Sequence, residues 1–439
     1  MTDPDSTRAL TPVRVTIWIY FWLLLGEGML RKWVLPEYSD LLFIIRDPVV
    51  VVAYLFALRA GIFPFRPAIV AVALMTAASL ALSLYNEVPL IVTLFGVRTD
   101  FLHLPFIFII PRAMDRDDVA LLGKWLLITS IPIFLLMVVQ FNSDPTSWVN
   151  SGVGAGVNGQ IRGAMGKIRA PGPFSFITGV VLYYSLVSAF VVDGVTHPGA
   201  YARPLLLLAS VATLLAIPIS ISRSLLMGIL IVAAFSGAAM LRESRRLPRL
   251  VGASIGAACL LGAIANTIYV QAFVTRWDEA VEAGGGGFRG NVLERVTGAF
   301  TEPFSTAANA PLLGRGIGLG TVAGARMMTG QSSFLLSESE LSRDLLELGP
   351  VLGFAFIAWR GWLVLHLLRG SWKVLGKRGD PLPWLITGAI ALNVLSGQWG
   401  PATHLGFAVF GAGIALAAMK DSSEEEQQDP GATMEAKIP

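Results

Sequence analysis

Arginine forks match the oxygens of a phosphate two at a time, and a carboxylate raised toward neutral pKa by burial can take a proton from a hydroxyl. This sequence carries both groups in segments that lie between apolar runs. Arg162 and Arg169 fall in the glycine-rich stretch 150–177, which ends in Pro171, Gly172 and Pro173. Arg223 stands in Ile219-SISRS-Leu225, and Arg315 in Pro311-LLGRGIGLG-Thr321. Arg343 follows Glu338 and Glu340 in the stretch 331–348, QSSFLLSESELSRDLLEL. Arg223 is the strongest single candidate, because no acid is near it in sequence and serine hydroxyls cannot neutralise it. It calls for an external anion or a carboxylate from another segment. The bland reading of the remaining loop arginines is surface charge paired with Asp278, Glu279, Glu294 and Glu302; the sharper one is an anionic ligand.

Other chemistry is poorly served. There is no His-Glu-x-x-His and no cysteine cluster, and the single Cys259 cannot form an internal disulfide. None of the histidines (His103, His197, His366, His404) falls in 141–173 or 272–348, so a histidine site in those segments is excluded. The run Gly314 to Gly320 lacks the Gly-Lys-Ser/Thr of a phosphate loop and the βαβ setting of a dinucleotide fingerprint; its content is a tight turn. Asp115-Arg116-Asp117-Asp118 resembles the acidic pair of metal-dependent sugar-nucleotide enzymes, but acids favour a helix start, and that is how we read it. No metal and no cofactor is expected.

The elements that position these residues cross a membrane. Hydrophobic residues make up 54% of the 439 residues and charged ones 14%, against roughly a quarter in soluble domains. Mean hydropathy is +0.65. A soluble enzyme, a disordered chain and a fibrous repeat are excluded. The basic residues behind the net charge of +3 are scattered among apolar segments, so nucleic acid is not expected as a partner. The expected fold is all-α, a polytopic bundle of about twelve helices, since a span needs about 20 apolar residues. Twelve segments qualify: 15–34, 41–58, 68–85, 90–110, 119–140, 174–192, 204–219, 225–241, 250–271, 349–368, 382–397 and 402–419. Arg8 and Arg14 precede the first and no cleavage site closes it, so it reads as a retained span.

A cytoplasmic N-terminus (1–14) places Arg59, Arg66, Arg112, Arg116, Arg203, the run Arg242 to Arg249 and the group Arg369 to Arg378 inside. The membrane domain then runs over 15–271 and 349–419, with segments 141–173 and 272–348 outside. The acidic stretch 420–439 is read as a disordered cytoplasmic tail.

Charges also fall within spans: Glu27, Arg31 and Lys32, then Arg46 and Asp47, then Arg98 and Asp100. Such groups are costly and default to function; the alternative is a set of structural ion pairs locking the first helices together, each cation having a carboxylate nearby in sequence. In 340–352, Leu341, Leu345, Leu348 and Leu352 share one helical face and Glu340, Arg343, Asp344 and Glu347 another. This predicts an amphipathic helix entering a span through Gly349-Pro350, on the membrane surface or capping a cavity. A solvated charged face is the commoner outcome for such a stripe.

Three of these segments, in order and on one side, resemble the O-antigen ligase / O-antigen polymerase superfamily of bacterial membrane glycosyltransferases. They are Arg169-APGPFSFITG-Val180, Ile219-SISRSLLMG-Ile229, and Pro311-LLGRGIG-Leu319 with Ser337-ESELSRDLLELGPVLG-Phe354. The family carries His-Asn where Glu338-Ser339 stand here. The resemblance implies transfer of a glycan from a polyprenyl-diphosphate donor to an acceptor glycan or lipid, on the periplasmic face of the inner membrane. It implies no nucleotide sugar, no metal and no cofactor. Arg169, Arg223, Arg343 and Arg315 would bind the diphosphate and Glu338 or Glu340 would act as base. That mechanism requires Arg169, Arg223, Arg343 and Glu338 to meet at one external cavity. Two other classes fit the same spans, a transporter or flippase of lipid-linked glycans and a non-catalytic partner that binds them. The first predicts symmetric halves, which the unequal long loops do not show.

Overall fold

The computed structural model describes residues 4–154, 160–283, 294–331 and 333–420. The glycine run 284–287 and most of the acidic tail lie outside the described residues. The described chain is helical throughout, with a lone antiparallel bridge between Arg162 and Ile168.

Among the described residues eight helices are long and apolar enough to cross a membrane: α1 Ala9–Val34, α2 Pro36–Arg59, α3 Pro67–Tyr85, α4 Leu90–Ala113, α5 Arg116–Asn142, α6 Ile177–Thr196, α8 Arg223–Met240 and α13 Glu340–Arg378. A bent pair, α9 Ser244–Ala263 and α10 Ile268–Glu279, turns by 94° where the sequence reads one span over 250–271. Three shorter apolar helices complete the bundle: α7 Arg203–Ile219, α14 Leu382–Ser396 and α15 Ala402–Ala418. Between α10 and α13 lie two polar helices, α11 Glu294–Asn309 and α12 Val322–Thr329. The protein is therefore a multi-pass membrane protein.

The core gathers around α15, whose residues are almost all buried. Its glycines explain this. A Cβ at Gly411 would stand 2.6 Å from Ile390 of α14, and one at Gly413 would collide with Ile110 of α4. Small residues allow helices in lipid to approach this closely.

The helix ends sort into two faces. At one, Arg14 on α1 pairs with Asp118 (3.5 Å), Arg116 bridges to Asp380 (2.7 Å), and Arg378 donates to the Met419 carbonyl (2.8 Å). The start of α1 and the end of α15 share this basic face. At the opposite face, Lys32 donates to the Gly172 carbonyl (2.7 Å) and Gln398 to that of Glu338 (2.7 Å). The described residues of 143–176 and 310–339 gather there; we call it the loop face.

Asp115 caps α5 as the acidic run implies. Its carboxylate accepts from the amides of Asp117 (2.9 Å) and Asp118 (3.0 Å), and Asp118 reaches back to the Asp115 amide (3.3 Å). Asp115→Ala is expected to cost about 1 kcal/mol, visible as a small drop in melting midpoint in detergent. A large drop would show that the acidic run does more than start a helix.

Candidate functional site

A cavity of about 960 Å³ opens at the loop face. Its walls come from the end of α1, the outer halves of α2 and α4, the start of α12, the approach to α13 and the turn before α15. Arg31, Asp47, Arg98, Glu338, Glu340 and Arg343 all line it. A second hollow of about 590 Å³ between α1 and α2 is lined by Thr11, Pro12, Val15, Thr16, Ile19, Val52 and Phe56. It holds no ionisable side chain and reads as a groove for lipid.

One wall is cationic. Arg31 and Arg98 each sit in a short π-helical segment, Leu30–Val34 and Arg98–Leu102. Such bulges re-aim side chains and are frequent at functional sites. Arg98 donates through Nε to Asp47 (2.7 Å) and through Nη2 to the Phe43 carbonyl (3.3 Å), with its guanidinium over the Phe43 ring at 4.9 Å. Its Nη1 is buried without a hydrogen-bond partner. Arg31 donates to Glu27 (3.1 Å), to the Ser39 carbonyl (3.0 Å) and to Ser175 (3.3 Å). Behind them Arg46 pairs with Glu27 at 3.2 Å and donates to the Ala402 carbonyl. His103 meets the second oxygen of Asp47 at 2.9 Å.

These pairings lock the first helices together, as the structural alternative expects, but mostly between helices and not between sequence neighbours. Glu27 and Arg31 do pair, four apart on one helix. Arg46 turns instead to Glu27, Asp47 to Arg98, and Asp100 to Arg343. Adjacent helical residues point about 100° apart, so Arg46 and Asp47 cannot face each other.

The facing wall is acidic. Arg343 is 3% exposed and meets four carboxylates: Asp100 (2.8 Å), Glu340 (3.0 Å), Asp344 (2.9 Å) and Glu347 (2.8 Å). Arg360 joins through Asp344 at 3.2 Å, with its guanidinium 4.0 Å over Trp399. The charged stripe of this helix is therefore buried, not solvated, because α4 and the middle of α13 supply its counter-charges. Asp100, Glu340 and Asp344 bring carboxylate oxygens close enough together to hold a metal ion. The guanidinium of Arg343 already bonds to all three.

Two assignments change in consequence. Arg343 offers no free edge to a diphosphate, since Nε, Nη1 and Nη2 all donate to carboxylates. Glu340 is engaged through both oxygens, by Arg343 (3.0 and 3.1 Å) and by the Trp399 amide (2.8 Å), which removes it as a base. Glu338 is different. It is exposed, lines the cavity, and its carboxylate has no hydrogen-bond partner among the described residues.

Arg169 and Arg223 do come together, but away from the cavity lining. Arg276 of α10 also lies near Arg169. Burial pushes the Arg169 pKa down, and the charges of Arg276 and Arg223 push it further. Arg169 is placed by a small hairpin in which the Gly163 amide donates to the Lys167 carbonyl (2.7 Å) and the Arg169 amide to that of Ile161 (3.0 Å). Its Nε is buried and unpartnered. Arg276 pairs with Glu279 at 2.9 Å. Arg315 is exposed and serves through its backbone, donating to the Leu346 carbonyl (2.8 Å). The residues expected around one anion are thus divided, and the convergence that the mechanism implied by the resemblance requires is not met. Glu338 and Arg343 share the cavity, Arg169 and Arg223 meet elsewhere, and Arg315 joins neither.

Sequence reasoning placed Arg31 and Arg98 among the intramembrane charges without assigning them to the site. Their cost in lipid was the available signal. Arg326, which lines the cavity and pairs with Asp40 at 3.5 Å, carried none. No family model matches the chain, and no curated protein matches it.

Proposed function

We propose that this chain is a glycosyltransferase of the bacterial cytoplasmic membrane, with both termini cytoplasmic and about twelve crossings when the bent pair and the three short helices are included. It transfers a glycan from a polyprenyl-diphosphate donor to an acceptor hydroxyl at the loop face. The excess of arginine on the basic face supports that orientation. The observation that carries the reading is the cavity. One wall is cationic, the other acidic, and the lining includes the apolar residues Ile91 and Leu94, which are 63% and 50% exposed. An amphiphile with a charged head and a long tail is what such a space accommodates.

In the proposed step the acceptor oxygen attacks the anomeric carbon. The bond from that carbon to the diphosphate breaks, the diphosphate leaves with the electron pair, and Glu338 takes the hydroxyl proton. Fixed cations stabilise the charge that develops on the leaving oxygen.

Glu338→Gln is expected to lower polymer or ligation product by about a hundredfold or more, measured with purified protein and lipid-linked oligosaccharide. Unchanged turnover would remove Glu338 from the mechanism. A second reading is favoured by the commitment of Glu340 and Arg343 to each other, which leaves a single free carboxylate in the cavity: a non-catalytic binder or a flippase of the same lipid-linked glycan. Binding or transbilayer movement without new glycosidic bonds, for wild type and variant alike, would establish it.

A further inference from the structure

The geometry points to the groove between α1 and α2 as a binding site for one anionic phospholipid of the basic-face leaflet, with an acyl chain along the groove and the phosphate on Arg59. The site lies at the opposite end of these helices from the cavity and does not depend on the reaction proposed there.

The walls of the groove suit a hydrocarbon chain. Val15 and Ile19 of α1 face Val52 and Phe56 of α2 across a space of about 590 Å³. Val15, Ile19 and Val52 are 50%, 43% and 39% exposed, so the groove opens on the outside of the bundle. All three lie within apolar spans, where the outside is acyl chain. The buried hydroxyl in the wall, that of Thr16, donates to the Val13 carbonyl (2.7 Å) and asks for no polar partner from the occupant. From Thr11 to Ile19 the wall runs about 12 Å along α1.

The head is placed by helical register. Arg14 donates to the Ala113 carbonyl (2.6 Å) and Arg112 to that of Ile62 (3.3 Å), which ties the turn after α2 to the start of α1 at the basic face. Val52, Phe56 and Arg59 recur at i, i+4 and i+7, so Arg59 continues the groove-lining face of α2 toward that end. It stands about 5 Å along the helix beyond Phe56. Arg59 is exposed, and no carboxylate engages it among the described residues. There is no acid anywhere in 48–66. Arg66 and Arg112 lie near each other by the same turn and add to the positive charge. An apolar groove that ends under an unpaired guanidinium matches a phospholipid whose head carries net negative charge. A second copy of the chain could cover the groove with apolar side chains but would leave Arg59 unmet. The lipid would brace α1 against α2, the helices that carry Arg31 and Asp47 to the cavity at their other ends.

The test is retention of added phosphatidylglycerol or phosphatidylcholine by the full chain in detergent, read by native mass spectrometry. Wild type is expected to retain phosphatidylglycerol about fivefold over phosphatidylcholine. Arg59→Gln removes the charge and leaves the groove, and is expected to bring phosphatidylglycerol down to the level of phosphatidylcholine. Arg59→Lys keeps the charge and should keep the preference. Val52→Trp fills the groove without touching a charge, and should lower retention of both lipids. Equal retention of the two lipids by wild type, or an undiminished preference in Arg59→Gln, would overturn the place of the head. Undiminished retention in Val52→Trp would overturn the place of the chain. A dimer formed by wild type without bound lipid, and lost in Val52→Trp, would assign the groove to a second copy and overturn the proposal.

Discussion

Arg343→Ala is expected to yield no stably folded protein. The guanidinium is the shared counter-ion of Asp100, Glu340, Asp344 and Glu347, each within 3.0 Å of it. Breaking a buried ion pair by removing one partner costs about 3–5 kcal/mol, because the other charge stays buried and unmet. Here four carboxylates would be left to Arg360 alone. The whole margin of a folded domain is only about 5–15 kcal/mol. Fluorescence-detected size exclusion from mild detergent should show aggregate in place of a monodisperse peak. Arg343→Lys should recover little, since an ammonium is a compact charge that cannot serve four acceptors in one plane. Combining Arg343→Met with Asp100→Asn and Glu347→Gln should recover more, by removing the charges together. Should Arg343→Ala fold with an unchanged melting midpoint and lose only donor binding, the phosphate role suggested by sequence would be reinstated.

The same arginine shows what was legible in the sequence and what was not. Hydropathy located the long helices, because burial in lipid leaves its mark on every residue of a span. Helical spacing correctly separated Leu341, Leu345 and Leu348 from Glu340, Arg343, Asp344 and Glu347. What it could not supply was the partner of the second stripe. That partner includes Asp100, more than two hundred positions away, and a long-range ion pair leaves no local pattern. The partners of Arg46 and Arg98, which are Glu27 and Asp47, were hidden for the same reason. Arg223 was singled out because no acid is near it in sequence, and the structure sets it near Arg169. The cavity drew its walls from segments scattered between Arg31 and His404, and no periodicity marks such a gathering.

The second large effect is expected at Gly314, and it concerns how the charged helix is held at its kink. Pro350 has no amide hydrogen, so the Leu346 carbonyl loses its helical donor. Gly349 breaks the helix at φ 76° and ψ 166°. The glycine turn fills the gap from outside: the Arg315 amide donates to Leu346 (2.8 Å) and the Gly316 amide to Glu347 (3.0 Å). From the other side, the Gly320 amide donates to the Glu347 carboxylate at 2.6 Å. The run from Gly314 to Gly320 is thus a clamp on the helix that carries Glu340 and Arg343, and no nucleotide loop. Gly314 has φ 68°, and an added Cβ would meet the Glu347 carbonyl oxygen and lie 2.5 Å from the Gly349 amide. Gly314→Ala should therefore incur about 1–2 kcal/mol for the left-handed backbone and about 1–3 kcal/mol for overpacking. Gly330, at φ 74° beyond the end of α12, has nothing within 4 Å of its Cβ position, so Gly330→Ala should incur the backbone cost alone. Melting midpoints of the two variants in one detergent decide the matter. A clearly larger drop for Gly314→Ala supports the clamp, and equal drops would mean that the close approach of turn and kink contributes nothing to holding the helix.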